Sequence, residues 1–287
     1  MKAIYKHELK GYSTNITAYV FGVFILLFAG IYTMVYNLGH QVVNFEFVPG
    51  SMPYIFLVGV PILTMRVMAE ERKQKTDQLL YSLPISMNKI VWGKYLAMLT
   101  VFAIPLLIIC VYPLILRTYG NVPLATAYST MLGFFFLGAA LIAIGMFISS
   151  LTESQPVAAG LCFIVMLVNY YISSLLSFVS TTARTNMIVV TVLAAAIAYL
   201  IYTMTQSSTV SLACAVAMEA VICFTFLRNS ASYEGLLTKI GSHISLFDRF
   251  ENFYEGSFDL TTLVFYISII AVFLFLCVQS MEKRRWS

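Results

Sequence analysis

Residues 119–151 read YGNVPLATAYSTMLGFFFLGAALIAIGMFISSL, without one Asp, Glu, Lys or Arg. Crossing about 30 Å of hydrocarbon takes about 20 apolar residues in a helix, the one open-ended form that satisfies its own backbone amides. This run meets both conditions. Five more charge-free runs flank it, at 17–38, 47–65, 95–116, 154–183 and 260–281. A further apolar stretch, 185–227, is broken by Glu219 alone and has room for two helices turned at Thr205-Gln206-Ser207-Ser208-Thr209. The expected fold is therefore all-α: a polytopic membrane bundle of about eight transmembrane helices, or six plus a re-entrant hairpin, forming one domain over 1–287.

Composition supports the same reading. Of the 287 residues 60% are hydrophobic and 10% charged, and the mean hydropathy is +0.86. Soluble domains carry about 45–50% apolar and about 25% charged residues, so this chain has more apolar surface than a water-soluble fold of its size can hide. The five cysteines, Cys110, Cys162, Cys214, Cys223 and Cys277, lie inside apolar runs without CxxC spacing and read as reduced, buried thiols. The first apolar run has no small-residue cleavage site behind it and reads as a permanent helix.

Orientation follows from the cations, which accumulate in cytoplasmic loops. With the N-terminus inside and an even number of crossings, Lys2, Lys6, Lys10, Arg66, Arg72, Lys73, Lys75, Lys89, Lys94, Lys283, Arg284 and Arg285 face the cytoplasm, 12 of the 17 basic residues. Both termini are then cytoplasmic. An odd count would place the 283–285 tail outside.

Three segments lie between or before the spans. Residues 1–12 alternate Lys2, Lys6 and Lys10 with Ile4, Tyr5, Leu9 and Tyr12, which fits either an amphipathic helix lying on anionic headgroups or an ordinary basic flank. Residues 70–89 hold the densest charge in the chain. There Thr76 is placed to cap a short helix whose dipole Asp77 complements, with Leu79, Leu80 and Leu83 as its apolar edge. Pro84 stops that helix, and Ser86 caps the next. Such a segment reads as a rigid element for a soluble partner or as a solvated turn that holds topology. Outside, 229–259 repeats apolar residues at helical steps (Leu237, Ile240, Ile244, Phe247, Phe250, Tyr254) among Asp248, Glu251 and Glu255, predicting one or two helices at the interface.

A phosphate cradle of the GxxxxGK[ST] type does not occur, since Gly93-Lys94 is followed by Tyr95 and has no glycine five residues before it. Nor does a HExxH, GxSxG or metal-spaced His/Cys pattern. No catalytic residue, metal or cofactor is expected, and no nucleic-acid partner. Glu219 is the one charge expected deep in a span. Such a carboxylate marks a substrate or proton pathway, or is neutralised by hydrogen bonds or by a position nearer the interface.

Particular residues resemble a known family. LTMRVMAEER at 63–72, TDQLLYSLPIS at 76–86 and IVWGKYLA at 90–97 are similar to the pattern "AEE(R)…GT-x-E-LL-x-x-P-(V/I)-S…GK" that joins the second and third spans of type-2 ABC transporter permeases. GMFISSLTESQ at 145–155, FENFYEGSFDL at 250–260 and EKRRW at 282–286 fit the gliding-motility-like branch. The family's Gly-Thr-x-Glu is here Lys75-Thr76-Asp77-Gln78, its members commonly have six spans, and the likeness is weakest over 185–227.

The resemblance implies the transmembrane permease subunit of an ATP-driven exporter in a bacterial inner membrane, paired with a second copy or a paralogue. A separate cytoplasmic ABC ATPase would grip the 70–89 loop as a coupling helix through Glu70, Glu71, Arg72, Thr76, Asp77, Leu79, Leu80, Leu83 and Pro84. Membrane lipids and an extracytoplasmic accessory protein complete the expected partners, with 229–259 guarding the outer exit. The rival readings are an ATP-independent secondary transporter or channel using Glu219, a membrane-embedded enzyme, and a scaffold that pulls on an extracytoplasmic partner.

Overall fold

A computed structural model of the chain describes residues 2–76, 85–178, 182–192 and 234–286, with Val216, Glu219, Ala220, Phe224, Thr225 and Arg228 as isolated positions; all regular structure among them is helical. Six helical segments are long and apolar enough to cross a bilayer: Ile16–Gly39, Pro53–Lys73, Met87–Arg117, Leu124–Leu151, Gln155–Ser177 and Leu260–Arg284. They fall on the six charge-free runs. Most of 185–227, where two further crossings are expected, lies outside the described residues.

The chain forms two compact units, Met1–Tyr170 with Leu246–Ser287, and Tyr171–Ser245. The first unit opens with α1 (Lys2–Thr14) and the first span, α2 (Ile16–Tyr32), which runs on as a π-helical stretch, Thr33–Gly39. After the short α3 (Phe47–Gly50), the second span is α4 (Phe56–Thr64) and α5 (Ala69–Lys73), separated by a turn over 65–68. The third is α6 (Met87–Ile109) extended by α7 (Tyr112–Arg117), the fourth α8 (Leu124–Leu151) and the fifth α9 (Gln155–Ser177). The sixth is α12 (Leu260–Trp286).

In the expected outer segment two helices form, α10 (Leu236–Ile244) and α11 (Leu246–Tyr254). Phe247 and Phe250 of α11 are buried and Glu251 and Glu255 exposed, as the apolar rhythm predicts, but Phe253 is buried in place of the half-buried Tyr254, and Ile240 and Ile244 of α10 are exposed.

The centre of the first unit is α8. In its apolar stretch 78% of residues are buried, against 17% in the first span and 11% in the fifth, so α2 and α9 leave most of their apolar surface for lipid or for another chain. Helices that cannot rely on water to drive them together pack through small residues. Here Gly133, Gly138 and Gly145 bring α8 against Phe253, Phe102 and Thr64. Phe56, Phe102 and Phe134 pack beside these contacts, with Phe56 and Phe134 4.7 Å apart between ring centres and Phe56 and Phe102 5.7 Å.

Contacts sort this unit into two ends. One gathers α1, α5, the start of α6, the end of α8 and the end of α12: the Ser280 hydroxyl donates to the Ser150 carbonyl at 3.3 Å, and Arg284 pairs with Glu153 at 2.8 Å. At the other, the Thr130 hydroxyl donates to the Phe253 carbonyl (2.9 Å) and the Tyr266 hydroxyl to the Leu246 carbonyl (2.8 Å). There Asp259 caps α12, accepting from the Thr261 amide at 2.8 Å and the Thr262 hydroxyl at 2.7 Å. These bonds, the Thr262 hydroxyl foremost, hold its carboxyl below the usual aspartate range. The first end carries Arg66, Arg72, Lys94, Lys283 and Arg284, the end assigned to the cytoplasm by charge.

In the second unit residues 183–192 are helical, and α10 begins after Gly235, whose φ of +65° is one that glycine adopts most readily. Glu219 is a half-buried helical residue there, and the rest of its expected span, apart from isolated positions, is outside the described residues.

Candidate functional site

The second span does not run straight to the basic end of the unit. Pro61 lacks the amide that would bond back to Leu57 and crowds the preceding turn, and α4 ends at Thr64 with the Met65 amide bonded to the Pro61 carbonyl at 3.0 Å. A turn over 65–68 follows before the chain resumes as α5. A helix broken inside a span exposes amides that lipid cannot satisfy. Ser149 of α8 satisfies two of them: its buried hydroxyl accepts from the Met68 and Ala69 amides, both at 3.3 Å, and donates to the Met65 carbonyl at 3.3 Å. Gly145, one turn earlier, admits the side chain of Thr64. Span four thus clasps the elbow of span two. Ser149→Ala strips both amides of their acceptor, and a buried unsatisfied group costs about 1–3 kcal/mol. The expected result is a measurable fall in the thermal-inactivation temperature of the solubilised protein with membrane insertion unchanged.

Beyond the break, charge takes over. Lys94 of α6 is 1% exposed, and its ammonium has three hydrogens to place. They go to Glu8 of α1 at 2.6 Å, Glu71 of α5 at 2.5 Å and the Val67 carbonyl at 3.3 Å. Every donor is used, and three elements meet at one nitrogen. A second contact runs beside it: Arg66 holds Glu70 through two bonds, 2.8 and 3.0 Å, and donates to Asn15 at 2.9 Å, at the joint between α1 and α2.

Helix α1 lies close on α6 because Gly93 has no side chain. A Cβ there would meet Ile4 at 3.0 Å. The Tyr5 and Thr100 hydroxyls are bonded at 3.0 Å, and Ile4, Leu9 and Tyr12 pack on the core while Lys2, Lys6 and Lys10 remain exposed. Burial, then the Glu8 carboxylate, raises the Tyr12 phenol above its ordinary range. It stays a neutral donor, directed to the Leu63 carbonyl at 3.4 Å.

A cavity of about 810 Å³ lies between α1 and the elbow, with Thr76 and Ile85, the residues on either side of 77–84, on its border. Of the sequence-derived coupling residues, Glu70, Glu71 and Arg72 lie in α5 and Thr76 in the turn after it, where its amide and hydroxyl both bond the Glu71 carbonyl (3.0 and 3.3 Å). Asp77, Leu79, Leu80, Leu83 and Pro84 are outside the described residues. Helix α6 starts after Ser86 as expected, but the Ser86 side chain makes no capping bond there; its carbonyl takes the Lys89 amide at 2.9 Å.

Glu8, Lys94 and Ser149 were not legible as a site. Lys94 counts as one more cytoplasmic cation, Glu8 as one acid in a basic segment, and Ser149 as one hydroxyl in a span. No short-range pattern relates residues 8, 71, 94 and 149. Among the described residues no group of three or more His, Cys, Asp or Glu side chains is placed to hold a metal.

A family model described as ABC-2 family transporter protein matches residues 2–283, nearly the whole chain. The chain belongs to that family. Neither the curated proteins nor the solved structures give a match. As an ABC-2 family member this multi-pass chain is a membrane subunit of an ABC transporter, a subunit class without an ATPase domain of its own. Its ionic junction then acquires a context: Glu71 and Lys94 stand before and after the 77–84 segment, in the region where the motif resemblance to type-2 permeases is densest.

Proposed function

We propose that the chain is a single permease domain of an ATP-driven exporter of a bacterial inner membrane, and that a separate cytoplasmic ABC ATPase grips its 70–89 loop. Glu70, Glu71 and Arg72 lead into the coupling element, with Thr76, Asp77, Leu79, Leu80, Leu83 and Pro84 making its body. A second permease, a copy or a paralogue, completes the translocation path, and the apolar faces of α2 and α9 left uncovered in this chain are available to it and to lipid.

The observation that carries this reading is the Glu8–Lys94–Glu71 junction. The entry to the loop is bonded to its exit through Glu71 and Lys94, and Lys94 is bonded in turn to α1 through Glu8. A force applied at 77–84 therefore reaches the second span, the third span and the N-terminal helix as one load. The break at 65–68 lets α5 turn without bending α4, because that helix has already ended at Thr64 and Ser149 accepts from the Met68 and Ala69 amides beyond it.

Replacing Leu79 and Leu80 by Asp removes the apolar edge from the gripped element without touching any span. Insertion and assembly are expected to persist and the ATPase to keep hydrolysing ATP, while transport measured in proteoliposomes containing both subunits falls to background. Transport at the wild-type rate in that double variant rules the coupling role out.

A further inference from the structure

A second cavity, of about 510 Å³, lies at the same end of the first unit, with no α1 residue in its lining. Its lining comes from α5, the last turn of α8 and the last turns of α12. Arg72, Lys283 and Arg284 supply three cations, and its described lining includes no carboxylate. Ser150, Gln279 and Ser280 add polar groups, and Phe147, Leu151 and Leu276 an apolar wall. The size is that of ligand pockets, about 300–1,000 Å³. Outside the lining, Glu153 holds Arg284 at 2.8 Å from a position 65% exposed, a pairing that water weakens.

Topology asks for cations in cytoplasmic loops. It does not ask for an arginine 7% exposed in the wall of a cavity, nor for apolar side chains beside it that remain open, Leu151 at 54% and Leu276 at 37%. Three cations and exposed aliphatic side chains of two spans on the wall of one cavity suit an amphiphile whose head is a phosphate ester and whose tails lie along the helices. Basic pockets between spans on the cytoplasmic side recognise anionic headgroups in this manner.

We propose that this cavity binds the phosphate of an anionic phospholipid of the cytoplasmic leaflet, with Arg72, Lys283 and Arg284 on the phosphate and Phe147, Leu151 and Leu276 against the acyl chains. Arg72 belongs to α5, so a lipid held here also touches the elbow. The site needs no ATPase and is tested without one.

The full chain, purified in neutral detergent, is titrated with phosphatidylglycerol or phosphatidylcholine and the bound lipid counted by native mass spectrometry. Phosphatidylglycerol is expected to bind in preference, and the double variant Lys283→Gln/Arg284→Gln, which changes two exposed side chains, to hold it about tenfold more weakly with phosphatidylcholine unaffected. Arg72→Gln is expected to lose the preference as well, and the exposed double variant decides the matter should Arg72→Gln fail to fold. Equal retention of the two lipids, or equal phosphatidylglycerol binding by the wild type and the double variant, overturns the site. A third arm adds inorganic phosphate. If it displaces phosphatidylglycerol at equal phosphate concentration, the cavity is a free-anion site and the lipid assignment falls.

Discussion

Lys94→Met is expected to be the most damaging single change at the cytoplasmic end, lowering stability by about 3–5 kcal/mol. The replacement fits the space but takes from Glu8 and Glu71 the ammonium that each holds within 2.6 Å. Removing the one fully buried member of an ion cluster costs far more than the cluster contributes, because two half-buried carboxylates lose the cation they share. Two further variants separate this cause from lost packing. Glu8→Gln/Lys94→Met/Glu71→Gln discharges all three groups and is expected to recover most of the thermal stability. Glu70→Gln, in the partly exposed pair with Arg66 (each side chain 30% exposed), is expected to cost no more than about 0.3–0.5 kcal/mol. Thermal inactivation of the solubilised protein reads all three. A Lys94→Met protein as stable as the wild type refutes the junction, and a triple variant as unstable as Lys94→Met shows that geometry, not charge, is what matters there.

Gly145→Ala puts two effects in opposition. Inside a helix alanine is preferred to glycine by about 1 kcal/mol, so propensity alone predicts a more stable protein. Packing predicts the reverse. A Cβ at Gly145 falls 2.5 Å from the Thr64 hydroxyl oxygen, 2.9 Å from its methyl carbon and 3.1 Å from its Cβ. Thr64 is 1% exposed, and its hydroxyl donates to the Val60 carbonyl at 2.9 Å. Its β-branched side chain has little rotamer freedom to move aside. The end of α4 must therefore move, and with it the Ser149 bonds to the elbow. Over-packing of this kind costs about 1–3 kcal/mol, enough to reverse the sign, so Gly145→Ala is expected to inactivate at lower temperature and to transport more slowly. Gly160→Ala in α9, where nothing lies within 4 Å of the added carbon, is the control and is expected to be neutral or slightly stabilising. Equal behaviour of the two variants removes the claim that span four grips the elbow.

The spans were legible because the signal is local and repeated: a charge-free run of sufficient length says what solvent it needs whatever it packs against. Helix α1 and the α10–α11 pair were legible for the same reason, their apolar residues recurring at helical steps. The loop motif was legible as a resemblance, since its residues are consecutive. The junction was not, because its members are separated by 63 residues between Glu8 and Glu71 and by 23 between Glu71 and Lys94, and each taken alone has an ordinary explanation. Ser149 shows the same limit: its value lies entirely in amides that another helix leaves open.

Residue order alone determined that this chain lives in a bilayer, that six of its runs are long and apolar enough to cross it and which end is basic, since these depend on the transfer of each segment from water to hydrocarbon, and that is set by the segment's own composition. Only the tertiary structure decided which charges inside that basic end are structural. A lysine is a topological marker while it is solvated and a fastener once three acceptors from three places close around it, and distances between remote residues, not the residues themselves, make the difference.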